Sequence, residues 1–296
     1  MKKFSHGDWT ADARWIAKGK LIVSAGQDDV VRSWTTKGVL QHELKSPAYS
    51  ACCGVLSSSI IAAFNGGDAD LTLWDASSGK TVHRLAGHQK ANRKNRAGAN
   101  VSCAAMSFDG SMVVSGGFDN TIRFWDVKSG EELRNVVMPS LPWSVSFSPD
   151  GSLVAAGLFP HLVVVIDVKA GKKRAQTKAS QKAVTSSLFT NDGQLVTGGG
   201  AGELKLWRLE GKKLTSRGMF GIPDGGGIEG VSLSPDATLL AAASRGGWIR
   251  VWDLESGNER KKLRRNVPFG GDVDFSPDGK QLMYAGPGAV GFVKVS

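Results

Sequence analysis

A short alternating strand ending in tryptophan returns along this chain at nearly even intervals, and any fold must accommodate that period. The landmarks are Trp34-Thr35, Trp74-Asp75, Trp125-Asp126, Ile166-Asp167, Trp207-Arg208 and Trp252-Asp253, separated by 40, 51, 41, 41 and 45 residues. The run Thr121-Ile122-Arg123-Phe124-Trp125 illustrates the strand. A second landmark, Ser-Pro-Asp-Gly or a degraded form of it, stands at Phe108-Asp109-Gly110, Ser148 to Gly151, Asn191-Asp192-Gly193, Ser234 to Ala237 and Ser276 to Gly279, where the first hairpin turn of each unit is expected. Glycine, at 38 of 296 residues, is nearly twice its usual share of about 7%, as many short strands joined by tight turns require. A unit of this size cannot bury its apolar face alone, so successive units must stack.

These residues, in this order and at this spacing, resemble the WD-repeat family over the whole chain. The resemblance implies an all-β fold, a seven-bladed β-propeller of four-stranded antiparallel blades, counted as six landmarks and a truncated last unit, Gly270 to Ser296. A single propeller domain over residues 1–296 is the expectation. The last unit reads as three strands, Asp272 to Phe275, Gln281 to Ala285 and Gly291 to Val295, so its fourth must come from elsewhere. Lys2-Lys3-Phe4, directly before His6, is placed to complete that blade and hide the sheet edge left open.

The resemblance further implies a hydrogen-bonded set of His, Ser or Thr, Asp and the strand Trp, because a buried carboxylate and an indole N–H both need partners. Two blades hold all four: His6, Ser24, Asp28 and Trp34 in the first, and His88, Ser115, Asp119 and Trp125 in the third. A His-Ser-Asp trio also invites comparison with a catalytic triad. Its recurrence at blade positions and its tie to Trp favour the structural role. Ala201 and Gly246 replace the turn Asp elsewhere, and Phe64 replaces the Ser, so those blades are expected to depend more on packing.

Several function classes lose support. The longest apolar runs, Leu162 to Ile166 and Leu239 to Ala243, fall far short of the roughly 18–20 residues that span a bilayer. Met1-Lys2-Lys3 is followed by Ser5-His6-Gly7-Asp8 where a signal peptide needs an apolar stretch, and a cytoplasmic location is the expectation. Cys52, Cys53 and Cys103 have no metal-knuckle or redox spacing and read as reduced and buried; His42, His83 and His161 have no ligand spacing either, so no metal is expected. Gly198 to Gly202 and Gly225 to Gly227 lack the Lys-Ser/Thr or following helix of a phosphate cradle. No carboxylate pair is set up for acid–base chemistry, and neither an enzyme nor a cofactor is expected.

What remains is surface. Counting back from each first-turn Asp, or its counterpart, places Ala11, Ala51, Ser102, Trp143, Thr185, Glu229 and Gly271 at the inner top of successive blades. The residues before each tetrad Asp, or its replacement, are Gln27, Gly67, Phe118, Phe159, Gly200, Arg245 and Pro287, expected on the same face. Phe118, Trp143 and Phe159 should then meet on one sector across blades three and four, either as filler under the loops or as a partner site of hot-spot composition. Glu229 and Arg245 offer polar contacts farther round. The insertion Gln89 to Asn100 carries Lys90, Arg93, Lys94 and Arg96 and no acidic residue, and reads either as a solvated insertion or as a grip for an acidic partner.

The net charge of +10 and the clusters Lys172-Lys173-Arg174, Lys212-Lys213 and Arg260 to Arg265 fit lysine-protected edge strands, and equally a phosphate backbone. Aromatics interleaved with these basics are not evident. The expected function is a non-enzymatic platform for another protein, such as an acidic peptide with an apolar anchor, and no membrane or small-molecule substrate is expected. The rival is a nucleic-acid or ribonucleoprotein component using the basic surfaces. A third reading, an enzyme at the channel mouth, rests on Glu229, Arg245 and His161.

Overall fold

In the computed structural model, which describes residues 4–45, 51–54, 58–64, 70–88, 101–222, 226–265 and 271–295, one strand plan recurs around a ring. Blade three shows it, with Val101–Met106 innermost, then Met112–Gly117, Thr121–Asp126 and Glu132–Val137 outermost, each antiparallel to the last. The first turn of a blade is held by its own side chains. In blade four Ser148 Oγ donates to Asp150 at 2.6 Å, the Ser152 N–H donates to the same carboxylate at 3.0 Å, and Gly151 takes φ 69°. The Ser148 hydroxyl beside Asp150, with those of Ser152, holds its carboxyl below the usual carboxylate range.

Bulges give the landmarks their geometry. In blades one to six the pairing of third and outermost strands slips by one residue immediately before Trp34, Trp74, Trp125, Ile166, Trp207 and Trp252. Each of these residues lies in the apolar cluster shared with the preceding blade, so the core is one cluster per junction rather than a single centre.

Outside this core, most neighbouring blades are also clasped at the rim. His42 Nε2 meets the Ser77 carbonyl at 2.9 Å, His83 Nε2 the Lys128 carbonyl at 3.0 Å, and Arg134 the Val168 and Lys169 carbonyls at 2.6 Å. Arg174 reaches Gly211 at 3.2 Å and Lys261 reaches Lys294 at 2.6 Å. The two imidazoles sit on Gly79 and Gly130, whose φ of 69° and 75° suit glycine and where a Cβ would strike the ring. These histidines therefore join blades.

The ring closes through a shared strand. Phe4–Ile16 pairs through Phe4, Ser5 and Trp9 with the last blade and from Thr10 onward with Leu21–Gly26. Blades seven and one thus form one six-stranded sheet, and the N-terminal strand completes the last blade. That blade's own strands are Val273–Phe275 and the run Gln281–Lys294, which folds back near Gly288 so that the Val295 N–H donates to the Lys280 carbonyl at 2.9 Å. Phe4 is buried there against Trp34 and Phe292, with ring centroids 5.5 and 5.1 Å away.

The polar sets of blades one and three share atoms but differ in how the histidine is used. In blade three the indole N–H of Trp125 donates to Ser115 Oγ (2.9 Å), which lies 2.8 Å from His88 Nε2, and His88 Nδ1 is 3.1 Å from both Asp119 oxygens. In blade one Trp34 donates to Ser24 Oγ (2.8 Å) and His6 Nε2 lies 2.7 Å from it, but His6 Nδ1 meets the Arg32 guanidinium at 2.6 Å as well as Asp28 at 3.2 Å. A guanidinium only donates, so Arg32 competes with Asp28 for Nδ1: the neutral ring accepts from Arg32, and a protonated Nδ1 donates to Asp28. In blade two the strand register puts Ala63, not Phe64 as the spacing suggested, at the Ser position, and the Trp74 indole turns to Thr81 Oγ1 at 2.9 Å.

Two outcomes follow. Phe4→Ala should lower stability by about 3–5 kcal/mol, the range for a buried phenylalanine. Denaturant unfolding measures this, and a loss below about 1 kcal/mol would show that closure does not depend on the ring. Burial, opposed by the Asp28 hydrogen bond and reinforced by Arg32, pushes the His6 imidazole below its ordinary value. Its contribution is full above about pH 6.5 and is lost as pH falls through that value toward the lowered native one. Tm should drop between about pH 7.5 and 5.5, and drop less in His6→Gln; parallel curves would remove His6 as the cause.

Candidate functional site: the top face of the ring

At the top of the innermost strand of blades one and three to six the chain inserts one extra residue. Thr10 pairs with Gly26 and Asp12 with Ala25, leaving Ala11 unpaired, and the same slip leaves Ser102, Trp143, Thr185 and Glu229 unpaired in blades three to six. Such a bulge re-aims its side chain, here toward the central channel. A cavity of about 810 Å³ fills that channel, with Ala11, Ser102, Trp143, Thr185, Glu229 and Gly271 among its lining.

Beside each bulge stands the residue that opens the next turn, fixed by one recurrent backbone bond. The N–H of Gln27 donates to Trp9, that of Phe159 to Leu141, that of Gly200 to Ala183 and that of Arg245 to Gly227, all at 2.8–2.9 Å. Blades one, four, five and six therefore each present a pair of residues on this face. In blade six the pair is ionic, Arg245 Nε to Glu229 Oε1 at 3.0 Å. In blade four it is aromatic, with Trp143 and Phe159 centroids 6.5 Å apart and inclined by 39°.

The slot has a structural use where it holds a hydroxyl. Ser102 donates to Gly116 of its own blade and Pro142 of the next at 3.0 and 2.6 Å, and Thr185 does the same to Gly198 and Ile228 at 3.1 and 2.6 Å. Trp143 has no such group and stays 41% exposed, with Phe159 at 51%. Phe118 lies half-buried at the corresponding turn of blade three; among the described residues no ring contact joins it to either aromatic, so the sector is a pair rather than a trio. Lys90, Arg93, Lys94 and Arg96 lie outside the described residues.

The channel wall also holds charge that the landmarks do not mark. Arg14 pairs with Asp272 and lies 3.3 Å from Asp12, while Asp274 accepts from the Trp15 N–H at 3.0 Å and from Ser232 at 3.2 Å. Burial pushes the Asp274 carboxyl above the ordinary carboxylate range, with Arg14 pulling the other way. These residues join blade seven to blades one and six and occupy one another. The signal was the parity of the innermost strands: Asp12 and Arg14, like Asp272 and Asp274, stand two apart on one strand face.

No group of three or more His, Cys, Asp or Glu among the described residues is placed to hold a metal ion. Cys103 is buried and its thiol is pushed up to about 12 by that burial, which removes it as a nucleophile near neutral pH. No helix among the described residues is long and apolar enough to cross a membrane.

The family model described as WD domain, G-beta repeat matches residues 79–126 and 220–253. Autophagy-related protein 16 of Arabidopsis thaliana is 28% identical to the chain over 259 residues, covering 80% of this chain and 46% of its own length. The chain thus spans about half the length of that relative. The two matched segments end at Asp126 and Asp253, each just after the bulged tryptophan, on the strand plan that the other blades repeat. The chain is a seven-bladed β-propeller carrying WD40 repeats.

Proposed function

We propose that this propeller is a non-enzymatic platform that binds another protein on its top face, with the Trp143–Phe159 pair as the anchor. The observation carrying this reading is the occupant of one slot. Where blades three and five place a hydroxyl that sews two blades together, blade four presents an exposed indole stacked beside an exposed phenyl ring. Large rigid aromatics that desolvate together are what the centre of a protein interface requires. Arg245, largely exposed although paired with Glu229, supplies a cation across the channel mouth for an acidic flank of the partner. The basic stretch Lys90 to Arg96 adds to that preference by composition. WD40 propellers commonly act as interaction scaffolds, and likeness to a protein named as autophagy-related fits a binding role.

The test is capture from lysate of the source organism with the intact protein and with the Trp143→Ala, Phe159→Ala double variant. Neither side chain is in the core, so Tm should hold, whereas loss of an anchor of about 2 kcal/mol weakens affinity about thirtyfold. A partner retained equally by both proteins would refute the anchor.

A further inference from the structure

The rim between blades five and six departs from its neighbours. At five other junctions an outermost strand clasps the following turn, through His42, His83, Arg134, Arg174 and Lys261. Between Lys213–Gly221 of blade five and the turn 254–258 of blade six no such side-chain bond exists among the described residues. Phe220 packs there instead, its ring beside Gly257 of that turn and 6.0 Å from the Trp252 ring, and the crevice is open beside it at Gly218. Leu204 and Leu206 face blade six in the shared cluster, and their cross-strand partners Phe220 and Gly218 face the same way. A methyl group built on Gly218 meets nothing within 4 Å.

The opposite wall is cationic and aromatic. Trp248 pairs across strands with Arg264 and Arg250 with Lys262, all on one sheet face. The Lys262 ammonium lies 4.3 Å from the indole centroid and the Arg264 guanidinium 5.4 Å. Arg250, 5.8 Å away, is neutralised by Glu259 at 2.7 Å, but exposed Lys262 and Arg264 have no acidic partner among the described residues. In blade three the equivalent place holds His88, Asp119 and Thr121; blade six has Gly246 and Trp248 instead. No exposed aromatic is interleaved with these basics in the sequence; the half-buried Trp248 precedes them in the chain and joins them only by cross-strand pairing.

We propose that this crevice binds single-stranded nucleic acid, with successive phosphates on Lys262 and Arg264 and bases turned toward Phe220 and Trp248. Lys262 and Arg264 rise from one strand face with backbones about 6.8 Å apart, and both head groups lie beside the Trp248 indole without an acidic partner among the described residues. An aromatic surface beside a basic track is the chemistry of sequence-tolerant single-strand binding. A net charge of +10 attracts such a polymer, and a second phosphate-matched cation favours it over an isolated phosphorylated side chain. The site is separate from the top face and does not rest on that reading.

The experiment is fluorescence anisotropy of labelled oligouridylate and oligothymidylate of about twenty nucleotides against the whole chain, at about 50 and 200 mM salt. Binding should weaken with salt. Lys262→Gln/Arg264→Gln should cost at least about tenfold in affinity and lower the log–log salt slope by about 1.4, the share of two single-strand phosphate contacts. Gly218→Glu, which adds a carboxylate to the open wall, should weaken binding too. Melting curves verify that each variant folds, and Trp143→Ala/Phe159→Ala should bind as the parent does. No binding by the parent, equal binding by both crevice variants, or tighter binding of a phosphoserine peptide or anionic vesicles at Lys262 and Arg264 overturns the proposal.

Discussion

A ring of sheets has one junction that the chain cannot make simply by running on, the one between its last blade and its first, and the other six depend on it to stay in register. Here a single strand, Phe4–Ile16, hydrogen-bonds to both blades, so that junction is sewn by backbone as well as by packing. The side chains there are also of a stronger kind. Where Ser102 and Thr185 use neutral hydroxyls on the next blade's carbonyls, the closing junction uses Arg14 with Asp272 and Asp274 with the Trp15 N–H. Hydrogen bonds to charged groups are roughly twice as strong as neutral ones. His6 lies on the same strand, so blade one's polar set is built from the segment that closes the ring.

Inside that frame, the bulges separate structure from display. Because the extra residue of a bulge pairs with nothing, its side chain is free of the sheet's alternation and its identity is decided by local use. A hydroxyl there laces blades together, Glu229 pairs with Arg245, and Trp143 meets Phe159 in the open. The top face is thus a set of near-equivalent positions carrying unlike chemistry, on a backbone that hardly varies.

The repeat, the hairpin turns and the strand that closes the ring were legible because each is a local pattern: a turn needs Asp and Gly at fixed offsets, and a strand alternates. The same register placed Trp143 beside Phe159 and Glu229 beside Arg245. It failed for Phe118, whose slot partner is the small Ser102, since side-chain reach rather than register decides whether rings meet. It also could not show the rim clasps, because His42 and the Ser77 carbonyl belong to different blades and no spacing within a repeat encodes contact between repeats. The Trp248 stack was hidden for a related reason, lying across two strands whose pairing carries a bulge.

Departures from the polar set explain where the unusual surfaces arise. In blade three Asp119 is required by His88 and by the Thr121 N–H and hydroxyl, and the turn cannot change without stranding them. Blade five meets the same need with Glu203, which accepts from Ser180 at 2.5 Å and from the Gln181 N–H at 3.1 Å. Blade four removes the need. Its third strand turns Leu162, Val164 and Ile166 into the cluster shared with blade three, leaving no imidazole or indole to satisfy. Pro160 then stands where the aspartate would be, and the turn is free to present Phe159 beside Trp143. Blade six, with Gly246 in that position, fills the space with Trp248 and its cations. Both candidate surfaces of this propeller therefore lie on blades whose apolar or aromatic packing has replaced a polar constraint.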